Sequence, residues 1–211
     1  MEQDLYKVKI FEVEETAKNV HRFRVERPEG YNFIPGQSTF IYLEGCDKRE
    51  FSFSNSEKDF LEFNIKSYLG GVTEKIGKLK PGDFFEIGKP FGIKAYHGNG
   101  VFIAGGTGIT PYLGMIHSIS PEEAKKNILI YSVHREEDII SKNELEKLFG
   151  KIVFVLTKEN KKGYEHGRIN KELLQKFINK KQEFYICGPS EFVKAMRAIL
   201  FELGVEKAYV W

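Results

Sequence analysis

The segment that decides the fold is VFIAGGTGITP, residues 101–111. Its continuous apolar run, 101–104, predicts a strand buried on both faces, as in a parallel sheet covered by helices. The motif G-x-G-x-x-P starts at Gly106, and Thr110 is expected to cap a helix whose first residue is Pro111. Glycines let a backbone approach a pyrophosphate closely, and a helix start offers it unpaired N–H groups. The segment predicts a phosphate-binding turn, although the third glycine of the usual dinucleotide fingerprint is missing and a plain tight turn is the alternative.

The chain beyond this segment repeats the apolar strand pattern and alternates it with helical patterns. Further uniformly apolar runs occur at 128–133, 152–156 and 184–187. Between them, Ser141 and Glu144 have the spacing of a capping box, and apolar residues recur at helical intervals from 192 to 203. These features predict an α/β domain with a parallel sheet over residues 98–211, in which the apolar stripes form the core.

The first 97 residues follow a different pattern, in which short segments alternate apolar and polar residues. These segments lie at 20–25, 39–43, 61–65 and 84–87, and turn signals such as Pro35-Gly36 separate them. This pattern is typical of antiparallel strands. Closing such strands into a barrel removes their exposed edges. We therefore predict two domains, with an antiparallel β-barrel over residues 1–97 ahead of the α/β domain.

Composition and charge exclude several classes of function. Lys and Arg total 32 against 30 Asp and Glu, a formal net charge of +2, so no large field is available to hold a nucleic acid. No apolar run approaches the roughly 20 residues that span a bilayer, which predicts a cytoplasmic protein. The two cysteines, Cys46 and Cys187, cannot supply the four thiolates that an iron–sulfur cluster usually needs, so no metal is expected.

Residues 49–54, REFSFS, form the second motif that carries chemistry. In a strand, Arg49 and Phe51 share one face while Ser52 lies on the other. An arginine can grip a phosphate with two hydrogen bonds, and a serine hydroxyl can hydrogen-bond a ring nitrogen. The alternative is an ordinary barrel strand with a surface arginine, and the segment taken alone favours that alternative.

Two further motifs can each be interpreted either as part of a ligand site or as an ordinary structural feature. The first is residues 66–73, KSYLGGVT, where the pair Gly70-Gly71 precedes a predicted helix with Thr73 near its start. The start of such a helix would present backbone N–H groups to an anion. The alternative is a hairpin turn. Cys187-Gly188-Pro189 ends a buried strand, at the sheet edge where ligands of open α/β sheets bind. Its alternative is a buried thiol that packs as a small apolar side chain.

Taken together and in this order, the four motifs resemble the ferredoxin–NADP reductase superfamily over nearly the whole chain. The resemblance implies that the barrel carries a flavin and that the α/β domain binds a nicotinamide coenzyme. It implies that Arg49 holds the flavin phosphate, that Ser52 donates toward the reactive ring nitrogen, and that Cys187 lies beside the nicotinamide carbon that gives up hydride. Ser52 and Cys187 are thus the expected catalytic residues. The implied flavin contacts are Arg49, Glu50, Phe51, Ser52, Ile65, Lys66, Ser67, Gly71, Val72 and Thr73, and the implied coenzyme contacts are Gly106, Thr107, Gly108, Thr110, Pro111, Gly188 and Pro189.

Three positions show how closely this sequence follows the pattern of the family. Phe51 stands where the family usually has tyrosine, so it keeps the stacking face and loses the hydroxyl. Trp211 ends the chain, and several family members end on an aromatic residue that stacks over the flavin; the alternative is a terminal residue packed on the sheet. Ala208 occupies the position where the family often has an acidic residue, and Glu206 is the nearest carboxylate.

The resemblance implies an enzyme that transfers hydride between NAD(P)H and bound FAD and passes electrons to a separate carrier, such as ferredoxin, flavodoxin or an oxygenase component. FAD is favoured over FMN because residues 70–73 read as a pyrophosphate site. The alternatives are a reductase of free flavin, a non-catalytic electron-transfer subunit of a larger complex, and a nucleotide-sensing module. A monomer or a dimer is expected.

The choice between NADPH and NADH depends on the 2′-phosphate of the coenzyme. Its recognition needs cationic donors beyond the second and third strands of the α/β domain, where Arg135, Lys158 and Arg168 are placed. Glu136 and Glu137 directly follow Arg135 in the sequence. Their carboxylates would repel a 2′-phosphate or accept a hydrogen bond from a free ribose hydroxyl. NADPH is slightly favoured.

Overall fold

The computed structural model describes residues 5–92, 95–179 and 182–211. By its contacts the chain divides into two compact units, one formed by Met1–Ala95 with Thr110–Ser118 and the other by Tyr96–Ile109 with Ile119–Trp211. Each unit has its own hydrophobic core. Within the described ranges, no helix has the length and apolar character that a membrane span requires.

In the described residues of the first unit, six antiparallel strands form one sheet with the order β4-β3-β6-β1-β2-β5. Ser54 N donates to Glu62 O (2.9 Å), which joins the two ends of this order and closes the sheet into the predicted barrel. Two helices, α1 (Val72–Ile76) and α2 (Thr110–His117), belong to the same unit. The strands are β1 (Tyr6–Ala17), β2 (Val20–Glu26), β3 (Ser38–Tyr42), β4 (Arg49–Ser52), β5 (Phe60–Lys66) and β6 (Phe84–Ile87).

The alternating residues of these strands point into the barrel as the sequence pattern predicts. Along β5, Leu61, Phe63 and Ile65 are fully buried in the core. The sequence analysis did not identify β1, which is the longest strand and pairs with both β2 and β6. Its pairing with β2 shifts register at two places, and such irregularities bend a strand and mask its period-two pattern.

In the second unit, the described residues form a six-stranded parallel sheet with the order β10-β9-β8-β7-β11-β12. The chain runs outward from β7 to β10 and then returns to place β11 on the other side of β7. The crevice beyond the carboxyl ends of β7 and β11 is therefore the switch point, where open α/β sheets bind ligands. The elements are β7 (Gly100–Gly105), β8 (Ile128–Val133), β9 (Lys151–Leu156), β10 (Glu165–His166), β11 (Glu183–Cys187), β12 (Tyr209–Val210), α3 (Pro121–Ala124), α4 (Lys142–Leu148), α5 (Lys171–Gln175) and α6 (Ser190–Glu202).

Two predictions about helix starts are wrong. Ser141 precedes α4 but has a left-handed backbone (φ 50°) and makes no side-chain cap, so the predicted capping box with Glu144 does not form. The Ser141 hydroxyl is buried and has no hydrogen-bond partner among the described residues. Thr110 is the first residue of α2 rather than a cap outside it, because a 3-10 turn over Gly106–Ile109 runs directly into the helix.

Helix α2 packs tightly within the barrel unit at Gly114. A Cβ atom at this position would lie 2.6 Å from the carbonyl oxygen of Phe53, 3.3 Å from the nitrogen of Gly36 and 3.4 Å from the carbonyl oxygen of Asn55. All three neighbours are backbone atoms, which cannot move aside as a flexible side chain can. The absence of a side chain at Gly114 therefore sets how closely the helix approaches the barrel.

We expect Gly114→Ala to lower the free energy of unfolding by roughly 1–3 kcal/mol, because an added methyl group in a packed contact forces the backbone apart. Urea denaturation of the two proteins measures the difference. Gly88→Ala is the matched control, because its Cβ would meet only the Tyr42 ring and the Thr39 hydroxyl at 3.6 Å or more. Equal stability of Gly114→Ala and Gly88→Ala would show that the α2 contact is not close-packed.

Candidate functional site

The glycine-rich turn lies at the switch point of the parallel sheet. Gly106 has a positive φ of 56°, a conformation that favours glycine. A Cβ at Gly108 would lie 2.3 Å from the carbonyl oxygen of Cys187 and 2.7 Å from the nitrogen of Gly188. The structure therefore brings together two motifs that are about 80 residues apart in the sequence. Only a backbone without a side chain fits at Gly108.

The ring of Phe192, on α6, packs against the same turn. A Cβ at Gly105 would lie 2.9 Å from this ring, and one at Gly188 would lie 2.8 Å from it. The sequence analysis treated Phe192 only as part of a helical apolar stripe. Its ring packs against the ends of both β7 and β11 and leaves no space for a side chain at Gly105 or Gly188. Such a cradle of backbone atoms fits the phosphates of a dinucleotide.

The other predicted residues of the turn divide into exposed and buried groups. Gly106 and Thr107 are exposed, whereas Thr110 and Pro111 are buried at the start of α2. Cys187 is buried at the end of β11 as a thiol that forms no disulfide. Pro189 is exposed and directly precedes α6.

Three predicted cationic residues lie at one edge of the parallel sheet. Arg135, Lys158 and Arg168 follow the carboxyl ends of β8, β9 and β10, which are neighbours in the sheet. Lys158 N donates to the carbonyl oxygen of His134 (2.9 Å), which ties the first two loops together. All three cationic side chains are exposed.

Glu136 is neutralised by its own neighbours at this edge. Its carboxylate accepts from Lys142 Nζ (2.8 Å), Lys161 Nζ and the Tyr164 hydroxyl. These three donors lower the pKa of Glu136 to about 2, and the hydrogen bond from Lys142 contributes most. A carboxylate paired with two lysines repels a nearby phosphate far less than an unpaired one. The sequence analysis counted Glu136 against NADPH, and this pairing weakens that argument.

The flavin-binding strand predicted from REFSFS is β4, at the end of the barrel sheet's order. Arg49 and Glu50 are exposed at its start, and Phe51 packs partly against the barrel core. Ser52 is half-buried, and its hydroxyl lies 3.1 Å from that of Ser38 on β3. The sequence analysis did not consider Ser38, because pairing across β3 and β4 becomes visible only once the strand register is known.

The second predicted flavin segment forms the helix that residues 66–73 indicate. Gly70 has a positive φ of 77°, and Gly71 is the N-cap of α1 without any side-chain cap. The N–H groups of Val72 and Thr73 have no acceptor within the helix, since the first turn of a helix lacks one. This arrangement fits a pyrophosphate, and the prediction of a helix rather than a hairpin turn is confirmed.

The residues that lead into α1 have different surroundings. The side chain of Ile65 is fully buried in the barrel core, while Lys66 and Ser67 are half-buried. The hydroxyl oxygen of Ser67 is buried and has no hydrogen-bond partner among the described residues. This hydroxyl lies beside Gly77, the C-cap of α1, where an added Cβ would come within 2.0 Å of it.

At the C-terminus, Trp211 packs on the parallel sheet of the second unit. Its N–H donates to the carbonyl oxygen of Ile186 (2.9 Å), and its ring lies 5.9 Å from Tyr185 at an interplanar angle of 12°. Tyr209 and His97 extend this row of stacked rings, with 3.9 Å between their centroids. The terminal residue is therefore held to the sheet by its backbone and its ring, and stacking of Trp211 over a flavin stays a prediction.

Comparisons with known proteins match both halves of the chain. Residues 7–96 match the family model "Oxidoreductase FAD-binding domain", and residues 102–198 match "Oxidoreductase NAD-binding domain". The chain is 30% identical over 198 residues to the "Probable dihydroorotate dehydrogenase B (NAD(+)), electron transfer subunit" of Pyrococcus abyssi, covering 93% of this chain and 74% of that protein. It is also 30% identical over 226 residues to an NADH-cytochrome b5 reductase 1 of Mycosarcoma maydis, covering 94% and 69%.

Solved structures show the same fold. A ferredoxin NADP+ reductase from Neisseria gonorrhoeae with bound FAD and NADP superposes with a TM-score of 0.83 and 23% sequence identity. The similarity covers 100% of this chain and 99% of that one. The two-domain architecture predicted from the sequence is confirmed.

Glu136→Gln tests the ion cluster of Glu136, Lys142 and Lys161 through its pH dependence. The folded-state pKa of Glu136 lies below its ordinary value of 4.5, so the cluster contributes stability above that value and loses it as the pH falls toward 2. We expect the variant to melt at a lower temperature than the parent at pH 7 and the difference to shrink between pH 4.5 and pH 2. Glu206→Gln, at an exposed carboxylate, is the control. A difference that is independent of pH would contradict the assignment.

Proposed function

Because the chain belongs to the family of FAD- and NAD-binding oxidoreductases related to ferredoxin–NADP reductase, we propose that it transfers hydride between NAD(P)H and bound FAD and passes electrons to a separate carrier. The observation that carries the proposal is the closure of the glycine-rich turn on Cys187 and Gly188 at the sheet's switch point. Two motifs about 80 residues apart in the sequence meet at the switch point, where the resemblance implies that the coenzyme binds. The carrier is of the ferredoxin, flavodoxin or oxygenase-component type.

The barrel unit supplies the groups that hold FAD in this proposal. Arg49 is exposed at the start of β4, where its guanidinium can grip a phosphate. The bare N–H groups at the start of α1 supply a second anion site. A second phosphate-binding element supports FAD over FMN, because FMN has a single phosphate for Arg49 to hold. Phe51 supplies an apolar face, and Ser52 supplies a hydroxyl.

Bound FAD would accept a hydride from the nicotinamide and release the two electrons one at a time. The protein's own residues would bind FAD and the coenzyme, orient their rings and exclude water. In well-oriented systems, holding two reactants in the correct geometry lowers the activation free energy by roughly 7–11 kcal/mol. Ser52 would offer a hydrogen bond to the ring, and Cys187 would line the nicotinamide side with a small, polarisable group. No side chain is required as a general base.

The cationic edge of the sheet supports NADPH over NADH. Arg135, Lys158 and Arg168 are exposed and follow the ends of neighbouring strands, and Glu136 is already paired with lysines. A 2′-phosphate would therefore meet positive charge without an opposing bare carboxylate at Glu136. The division of the chain at residue 97, the cytoplasmic location and the monomeric or dimeric state stay predictions from the sequence.

A non-catalytic electron-transfer subunit is the alternative with a specific observation in its favour. The Pyrococcus abyssi protein is named as such a subunit, and this chain is 30% identical to it. The two cysteines of this chain, Cys46 and Cys187, cannot hold a four-thiolate cluster. Any four-thiolate cluster in the electron path would therefore be held by residues outside this sequence.

The proposed function predicts a yellow protein with one FAD, whose visible absorbance bleaches on anaerobic addition of NADPH. Titration with NADPH and then with NADH ranks the two coenzymes, and reduction of added ferredoxin or flavodoxin tests the carrier. A colourless protein that oxidises coenzyme only with added flavin would identify a free-flavin reductase. A flavoprotein that no coenzyme reduces would overturn the proposal.

Substitution of the cationic edge tests the coenzyme assignment. We expect Arg135→Ala, Lys158→Ala and Arg168→Ala each to raise the KM for NADPH on the order of tenfold, since a hydrogen bond to a charged group contributes about 1.5–3 kcal/mol. The KM for NADH should stay within about twofold of the parent value. Lys194→Ala, at an exposed lysine of α6, is the control. Equal effects on both coenzymes would remove these residues from 2′-phosphate recognition.

A further inference from the structure

The loop that leads into α1 exposes two adjacent large apolar side chains. Tyr68 is 58% exposed and Leu69 is 93% exposed, the highest value for a large hydrophobic side chain in the part of the chain that the structure describes. The Leu69 side chain therefore contributes almost nothing to the core of the barrel unit. Exposed apolar side chains that lie together are typical of a surface that another molecule covers.

Hydrogen bonds hold this loop on both sides of the exposed leucine. Tyr68 N donates to Thr73 Oγ1 (3.1 Å), and Tyr68 O accepts from Gly71 N (3.3 Å). Gly70 N donates to the carboxylate of Glu74 (2.8 Å). A side chain that is presented by an ordered loop loses less conformational entropy when a partner binds it.

The segment around the loop is strongly basic. Residues 66–80 contain four lysines and one glutamate, a formal charge of +3, whereas all 211 residues together carry +2. Lys78 Nζ lies 2.7 Å from the carboxylate of Glu74, which also accepts from Gly70 N. The Lys78 ammonium group is therefore one side chain away from the backbone of the loop.

The turn between β1 and β2 adds a further lysine. Asn19 O accepts from Ser67 N (2.8 Å), which brings this turn to the start of the loop. Lys18 in the turn and Lys75 in α1 are both exposed. We define the loop patch as Tyr68 and Leu69 together with Lys18, Lys75 and Lys78.

The loop patch adjoins residues that the proposed function assigns to the flavin. Lys66 and Ser67 directly precede Tyr68, and α1 begins after Gly71. A protein that takes electrons from the flavin has to dock close to it. Specific interfaces combine an apolar centre with a polar rim, and a basic rim attracts an acidic partner and repels a basic one.

A membrane surface is the other kind of partner that lysines and exposed apolar side chains can fit. Stable membrane binding takes a broad apolar helix face, or a lipid chain combined with basic residues. The loop patch offers two apolar side chains on a short loop. Its small apolar area and its position beside the proposed flavin contacts favour a protein partner.

We propose that the loop patch docks the separate electron carrier and that this carrier is an acidic protein. Leu69 is the apolar centre of the interface, and the three lysines are its basic rim. The inference rests on the proposed function and deepens it, because it names the docking surface and the charge of the carrier. The lysines increase the rate of encounter, and the leucine stabilises the docked complex.

The experiment measures the reduction by NADPH of a purified ferredoxin and a purified flavodoxin, both of net negative charge. Ferricyanide is the small acceptor that needs no docking surface. We expect Leu69→Ser to raise the KM for the carrier protein about tenfold, because the central apolar contact is lost. Lys75→Gln and Lys78→Gln should each raise it about threefold at low ionic strength and much less at about 1 M salt, which screens charges beyond about 3 Å. Turnover with ferricyanide should stay unchanged in all three variants.

Phe201→Ser and Lys194→Gln, at exposed residues of α6, are the matched controls and should leave the KM for the carrier protein unchanged. An unchanged KM in Leu69→Ser, or lysine effects that salt does not reduce, would overturn the docking surface and leave the proposed function intact. Unchanged carrier kinetics together with Leu69-dependent sedimentation on vesicles of anionic phospholipid would assign the patch to a membrane instead. A parent protein that reduces ferricyanide but neither carrier protein would contradict an acidic carrier. One that does not reduce ferricyanide would contradict the proposed function itself.

Discussion

The close approach of the Gly106–Ile109 turn to the end of β11 is the constraint on which the proposed coenzyme site depends. Gly108 meets the Cys187 carbonyl and the Gly188 nitrogen at distances that exclude any side chain, and the Phe192 ring packs against both strand ends. This contact fixes the end of β7 and the end of β11 relative to each other. One packed junction thus sets the geometry of the residues that the proposed function assigns to coenzyme.

Much of the fold could be predicted because its signals are local. The uniformly apolar run at β8 and the alternating run at β6 coincide with the observed strands, since burial on two faces or one face dictates each pattern. The helix that begins after Gly71 follows from a short motif in the same way. The four motifs, taken together in their order along the chain, also indicated the family.

Features that depend on distant parts of the chain could not be predicted. Ser38 faces Ser52 only because β3 and β4 pair in one register, and a one-residue shift would point them to opposite faces. The pairing of Glu136 with Lys161 and Tyr164 joins loops after β8 and β9. The predicted capping box at Ser141 does not form, because this residue has a left-handed backbone in place of the extended one that a capping serine usually has. The roles of the individual site residues stay predictions.

Direct hydride transfer to a flavin held by this chain is the central claim, and stopped-flow absorbance tests it most directly. The purified protein is mixed anaerobically with NADPH that carries either hydrogen or deuterium at the transferred position of its nicotinamide. We expect the visible flavin band to bleach in a single turnover and deuterium to slow the bleaching. A flavin band that persists, or a protein that carries no flavin, would contradict it.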